Sequence, residues 1–123
     1  MTNPTILIVE DNTLNRKLAE TLLKTQGYQL LTALDGQEAI DITTREQPDL
    51  VLMDMQLPKV SGYDATRTLK TQPETAHIPI VALTAHAMAE ERERAMDAGC
   101  DGYITKPIDT RAFADQVREH LNA

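Results

Sequence analysis

The sequence predicts an α/β fold, a doubly wound parallel sheet of five strands with five helices packed on its two faces. Three observations lead there. Short apolar runs alternate strictly with longer amphipathic stretches along the 123 residues. The runs Ile6-Leu7-Ile8-Val9, Leu50-Val51-Leu52-Met53 and Ile78 to Leu83 are almost continuously apolar, as strands buried on both faces are. The stretches between them carry apolar stripes with the spacing of one helix face. At 123 residues and 41% hydrophobic content, one core suffices and a single domain is expected.

The elements follow in order. After the first strand, Leu14, Leu18 and Leu22 recur at four-residue spacing with Leu23 beside them, which predicts a first helix with that stripe inward. Tyr28 to Leu34 is the second strand. Asp35-Gly36-Gln37-Glu38 reads as a capping box before the stripe Ala39, Ile40 and Thr43. Leu50 to Met53 is the third strand. Ser61 caps a short third helix marked by Ala65 and Leu69, with Pro73 beyond its end. Ile78 to Leu83 is the fourth strand. The fourth helix runs from Met88 to Ala98, with Glu90 and Arg94 four apart and Gly99 as its stop. Tyr103-Ile104 is the fifth strand. Phe113, Val117 and Leu121 line the last helix, opened by Asp109 or Thr110. That helix reaches the C-terminus, so residues 1–123 are expected to be the whole domain, with no output domain.

Charge and composition narrow the function. Twelve basic against 19 acidic residues give a net charge of −7, which disfavours nucleic acid or an anionic membrane as the main partner. Tyr28, Tyr63, Tyr103 and Phe113 are not interleaved with Lys or Arg, so a base-stacking surface is also disfavoured. Cys100 has no partner for an internal disulfide, and a reducing cytoplasm is the expected location. No apolar stretch is long enough to span a bilayer, and Met1-Thr2-Asn3-Pro4 has no basic residue of a secretory signal. Cys100 reads as a packing residue and Glu90-Glu91-Arg92-Glu93-Arg94 as a solvated helix face, with a partner surface as its alternative. His77 and His120 read as solvated.

Chemistry gathers at strand ends. The first strand runs into Glu10-Asp11, the third into Asp54, the fourth into Thr84 and the fifth into Lys106. Sheets of this kind bind ligands at the carboxyl ends of their strands, where the strand order reverses. With the flavodoxin-like order 2-1-3-4-5, Glu10, Asp11 and Asp54 converge there, with Thr84 and Lys106 opposite. Three close carboxylates cannot all stay ionised unassisted. Lys106 supplies one positive charge, and a hard divalent cation, Mg²⁺ or Mn²⁺, suits the all-oxygen remainder. Metal, hydroxyl and ammonium around a carboxylate form a phosphoryl site, with Asp54 as nucleophile. Singly, each residue has a plain structural use as cap, turn or strand end. A fold alone needs no such cluster at four strand ends.

Five collinear pieces span nearly the whole chain: Ile6-Leu7-Ile8-Val9-Glu10-Asp11-Asn12, Leu52-Met53-Asp54-Met55-Gln56-Leu57-Pro58, Ser61-Gly62, Ala82-Leu83-Thr84-Ala85 and Gly102-Tyr103-Ile104-Thr105-Lys106-Pro107. In them the sequence resembles the receiver domains of two-component response regulators. In its length and its Asp11-Asn12-x-x-Asn15 opening it is similar to the stand-alone chemotaxis and polar cell-division types. The resemblance implies that Asp54 accepts a phosphoryl group from a histidine kinase or phosphotransfer protein. It implies that Asp11, Asp54 and the Gln56 backbone carbonyl hold Mg²⁺, with Glu10 assisting through water. Thr84 and Lys106 would bind phosphoryl oxygens. Thr84 and Tyr103 would form the switch that changes the surface of the fourth helix, fifth strand and fifth helix. Gln56 and His86 would tune dephosphorylation, which is slow and self-catalysed. The Lys106-Pro107 bond is expected to be cis. Leu14, Asn15 and Ile108, beside the acid cluster, are candidates for docking the partner, with Leu14 alternatively opening the core stripe. The chain would be a monomer or a phosphorylation-dependent dimer.

Other classes lack their motifs. A phosphatase with an Asp nucleophile resembles D-x-D-x-T, whereas Asp54-Met55-Gln56-Leu57-Pro58 has no second Asp. A flavin carrier needs a hydroxyl-rich loop where Glu10-Asp11 stand. Neither G-x-G-x-x-G nor G-x-x-x-x-G-K-[ST] occurs, so dinucleotide and P-loop binders are disfavoured. A phosphorylation-independent scaffold would have no use for the complete set of acidic, hydroxyl and ammonium groups.

Overall fold

The computed structural model describes residues 3–85 and 89–121. Ten elements alternate: β1 (Thr5–Val9), α1 (Thr13–Lys24), β2 (Gln29–Ala33), α2 (Gly36–Glu46), β3 (Leu50–Asp54), α3 (Gly62–Thr71), β4 (Ile80–Thr84), α4 (Ala89–Ala98), β5 (Gly102–Thr105) and α5 (Phe113–Leu121). All strand pairs are parallel, in the order β2-β1-β3-β4-β5, as the sequence predicts. Because ligand crevices open where the order reverses, β1 and β3 place the site between them.

Apolar continuity in the sequence becomes two-sided burial. β3 and β4 are buried at every position, and β1 at all but Thr5. Side chains alternate between faces. Leu7, Val9, Val51, Met53, Ile80 and Ala82 pack with Ala39 of α2, Leu69 of α3 and Ala95 of α4. Ile6, Ile8, Leu50, Leu52, Val81 and Leu83 pack with Leu23 of α1 and Phe113 and Val117 of α5.

Helix starts are set by side-chain acceptors for otherwise unpaired backbone N–H groups. Asn12 accepts from Asn15 N at 3.0 Å, Asp35 from Glu38 N at 2.8 Å and Ser61 from Asp64 N at 3.1 Å. Asp109 accepts from Arg111 N at 2.9 Å, which opens the turn before α5. Glu38 returns to the N–H of Leu34, at 3.4 Å, one residue earlier than a strict capping box would. Gly99 ends α4 at φ +109°, a conformation that needs glycine.

Several expectations shift. The α1 stripe is not Leu14, Leu18 and Leu22: Leu14 is 79% exposed and Leu18 38%, while Ala19 and Leu23 are buried. Four-residue spacing drifts about 40° per step around a helix of 3.6 residues per turn, so the three leucines do not share one face: Leu14 and Leu18 stand in solvent, and Leu22 packs half-buried on the core beside Leu23. β4 starts at Ile80 rather than Ile78, because Pro79 has no N–H to give to the ladder. Ile78 is nonetheless buried, just outside the strand. Tyr28 and Leu34 lie outside β2. His120 is half-buried rather than solvated, and its ring lies so close to Gly102 that a side-chain carbon there would collide with its Cε1. Met88 and His86 lie outside the described residues. Among the described residues no helix is long and apolar enough to cross a membrane.

Candidate functional site

The acid cluster assembles at the carboxyl ends of β1 and β3. Glu10 follows Val9 directly, and its N–H bonds the Ala33 carbonyl at 3.0 Å, extending the sheet by one residue. Glu10 is 1% exposed and Asp54 3%. Asp11 is exposed at the rim. One carboxylate oxygen from each of the three lies within 4.8 Å of the others. Such a set fits a hard cation, since Glu10 and Asp54 are buried and share one nearby ammonium.

That ammonium is Lys106. Its Nζ lies 2.6 Å from Glu10 Oε1 and 3.1 Å from Asp54 Oδ2. The Lys106 N–H bonds the Thr84 carbonyl at 2.7 Å, tying the lysine's backbone to the end of β4. The Lys106-Pro107 bond is cis, as expected. Asp54 Oδ1 accepts from the Gln56 N–H at 2.9 Å, leaving its other oxygen toward Lys106. Thr84 is buried at the end of β4.

Burial pushes the Glu10 carboxyl up to about 7, and its hydrogen bond with Asp54 pushes the same way against the pull of Lys106. Burial also works against charge on Lys106. The hydrogen bond to Glu10 and the charge of Asp54 outweigh it and hold the ammonium above its ordinary range.

Gly62 fixes the approach of α3 to this pocket. A side-chain carbon there would collide with the Asp54 carbonyl oxygen and come within 2.7 Å of Met55 Cα. The Gly62 N–H bonds the Met55 carbonyl at 3.3 Å. Only glycine lets the helix start abut the strand end that carries Asp54. Arg16 adds a contact the sequence reading missed, donating from Nη1 to the Glu10 carbonyl at 3.0 Å. The capping role of Asn12 was also missed, although an Asn just before a helical pattern is its ordinary signal.

Around the acids opens a cleft of about 470 Å³ lined by Asn15, Asp54, Gln56, Ala85, Lys106 and Pro107. Gln56 and Asn15 are exposed at its edge, and Leu14 stands in solvent beside it. Ile108 is half-buried and packs on the core shared with α1 and α5. Tyr103 points outward, 37% exposed, and its hydroxyl accepts from Arg92 Nη1 at 2.7 Å. The Glu90–Arg94 segment is more than a solvated face. Besides Arg92 on Tyr103, Arg94 lies over the Tyr63 ring at 4.2 Å, and Glu91 accepts from the Tyr63 hydroxyl at 3.1 Å. Cys100 is buried, and burial pushes its thiol up to about 11, as a packing residue requires.

A parallel five-stranded sheet thus carries two buried carboxylates and a lysine together at its carboxyl edge. The chain belongs to the response regulator receiver domain family, whose profile matches residues 6–118. It is 44% identical over 116 residues to the polar-differentiation response regulator DivK of Brucella anthropi, covering 94% of each chain. It is equally similar to DivK of Brucella ovis, over the same share of each chain. Among solved structures it resembles the receiver domain of sensor histidine kinase PA1611 from Pseudomonas aeruginosa, with 34% identity and a TM-score of 0.91. That match covers 99% of this chain and 100% of the other, whose active-site cleft holds a magnesium ion. The receiver domain of a signal transduction histidine kinase from Syntrophus aciditrophicus gives 33% identity and a TM-score of 0.88, covering 97% and 90%. The chain is thus a signalling switch of two-component systems, a class phosphorylated on aspartate that interacts with histidine kinases or phosphotransfer proteins and with downstream targets.

Proposed function

We propose that Asp54 is the phosphoacceptor. The observation that carries this is the meeting of Asp54, Glu10 and Lys106 in one pocket at the sheet's carboxyl edge. The Asp54 carboxylate attacks the phosphorus of a phosphohistidine on the partner. The P–O bond forms as the P–N bond breaks, the P–N electron pair returns to the ring of a phosphohistidine protonated on its other nitrogen, neutral imidazole leaves keeping that proton, and an acyl phosphate remains on Asp54. Lys106, within reach of Asp54, pairs with a phosphoryl oxygen as charge arrives, and the Thr84 hydroxyl donates to another. Glu10, Asp11, Asp54 and the Gln56 carbonyl would hold Mg²⁺, or Mn²⁺, which would neutralise phosphoryl oxygens.

Thr84 and Tyr103 pass the change to α4, β5 and α5. The support is the register: Thr84 pairs with Thr105, and Tyr103 lies two residues before Thr105 on the same sheet face. Gln56 at the cleft edge tunes slow self-dephosphorylation, together with His86. Leu14, Asn15 and Ile108 form the docking surface for the kinase or phosphotransfer protein, supported by the exposure of Leu14 beside the cleft. The protein works in the cytoplasm, which its single buried cysteine suits.

Intact-mass spectrometry after incubation with phosphoramidate tests the assignment. One added phosphoryl group is expected, dependent on Mg²⁺ and lost in Asp54→Asn. No adduct on the wild type, or an adduct that survives Asp54→Asn, would overturn it.

A further inference from the structure

We infer that Arg92 is a positioning residue that latches Tyr103 in its outward position and so holds the unphosphorylated form as the ground state. The inference rests on the reading of Asp54 as acceptor and Tyr103 as switch.

Two contacts come from one side chain. Arg92 Nη1 donates to the Tyr103 hydroxyl at 2.7 Å, and its guanidinium carbon lies 5.4 Å from the ring centroid. A planar guanidinium can hold a phenol by both its oxygen and its face, which an ammonium cannot do as well. Tyr103 sits in β5 opposite Ala82, on the sheet face that α4 covers. An inward move of the ring along that face toward Thr84 would give up both contacts with Arg92, so the two arrangements would compete for one ring.

α4 has two flanks, and each is held by an arginine on a tyrosine. On the α3 side, Arg94 lies over Tyr63, which is 7% exposed and also bonded to Glu91. On the β5 side, Arg92 holds the exposed Tyr103. Between them the helix buries Ala95 and Ala98, little apolar area for ten residues. The buried clamp fixes the helix to the fold. The exposed one is the contact that the switch must break. Its loss therefore shifts the equilibrium toward the inward form without unfolding α4, and a ligand selective for that form binds more tightly by the same factor.

Beryllofluoride, a phosphoryl mimic, tests this when titrated with Mg²⁺ and followed by ¹⁹F NMR of the bound species. Arg92→Ala is expected to tighten binding about three- to tenfold, the scale of an exposed cation–aromatic contact with one hydrogen bond. Arg92→Lys should recover part of the wild-type value. Tyr103→Phe should tighten binding alone but add little to Arg92→Ala, since both remove one contact. Arg94→Ala should lower the melting temperature and leave the affinity unchanged. Wild-type affinity in Arg92→Ala, or full additivity with Tyr103→Phe, overturns the latch. A wild type that binds no beryllofluoride overturns the acceptor reading and the latch with it.

Discussion

α3 and α4 are neighbours of ten residues each, and the fold treats them differently. α3 buries Gly62, Tyr63, Ala65, Thr66 and Leu69, and its first residue abuts the backbone of Asp54 and Met55. α4 buries Ala95 and Ala98 and is held at its flanks by polar contacts with tyrosines. Dense apolar burial resists local opening, and thin burial permits it. α3 thus belongs to the frame that holds the acid pocket, and α4 is anchored by fewer buried side chains, as the proposed switch requires.

The largest expected effect lies in α3. Leu69→Ala should cost about 2–5 kcal/mol in denaturant unfolding, as buried leucine truncations do. Met96→Ala in α4, at a position 51% exposed, should stay within about 0.5 kcal/mol. Equal costs would break the comparison. Gly62→Ala comes next, at about 1–3 kcal/mol, because the added carbon meets the Asp54 carbonyl and the backbone must yield. It should also weaken Mg²⁺ binding in calorimetric titration, whereas the latch variant Arg92→Ala should not.

Protons sharpen the contrast further. With its carboxyl pushed up to about 7, Glu10 holds its proton more tightly in the folded protein than in the unfolded chain. Its contribution to metal-free stability is therefore greatest at low pH and declines as pH rises from the unfolded value, about 4.5, to about 7. Mg²⁺ held by Glu10, as proposed, would compete with that proton, so its apparent affinity should be about tenfold weaker at pH 6 than at pH 8. A flat profile would remove Glu10 from the site. Asp35 runs the other way. Its bond from the Glu38 N–H holds its carboxyl below the usual range. The stability it lends α2 is present above pH ~4 and lost as pH falls through its lowered folded value. Asp35→Ala should cost about 1 kcal/mol at neutral pH and progressively less in acid, by thermal melts.

Much of this frame could be read from residues in order. β1, β3 and β4 announce themselves because two-sided burial demands unbroken apolar runs, and the site residues stand where those runs stop. The face of α1 was misread because three leucines at even spacing look like a core stripe. The helix turns through about 100° per residue, so only Ala19, Leu23 and, partly, Leu22 reach the core while Leu14 stays in solvent. The roles of Arg92 and Arg94 were hidden for a related reason. A charged helix face looks the same in sequence whether its guanidiniums meet water or the rings of Tyr103 and Tyr63, which come from other elements. Ile78 shows a third limit, since burial alone does not make a strand when Pro79 follows.

Amide hydrogen exchange over α3 and α4, with and without beryllofluoride and Mg²⁺, tests the central claim most directly. The claim is that Asp54 is read out through α4 and β5 while α3 holds still. Faster exchange in α4 than in α3 is expected in the free protein. Addition of the mimic should change protection across α4 and β5 and leave α3 beyond its first turn unaltered. Equal protection of the two helices, or a change shared by both, would contradict the account.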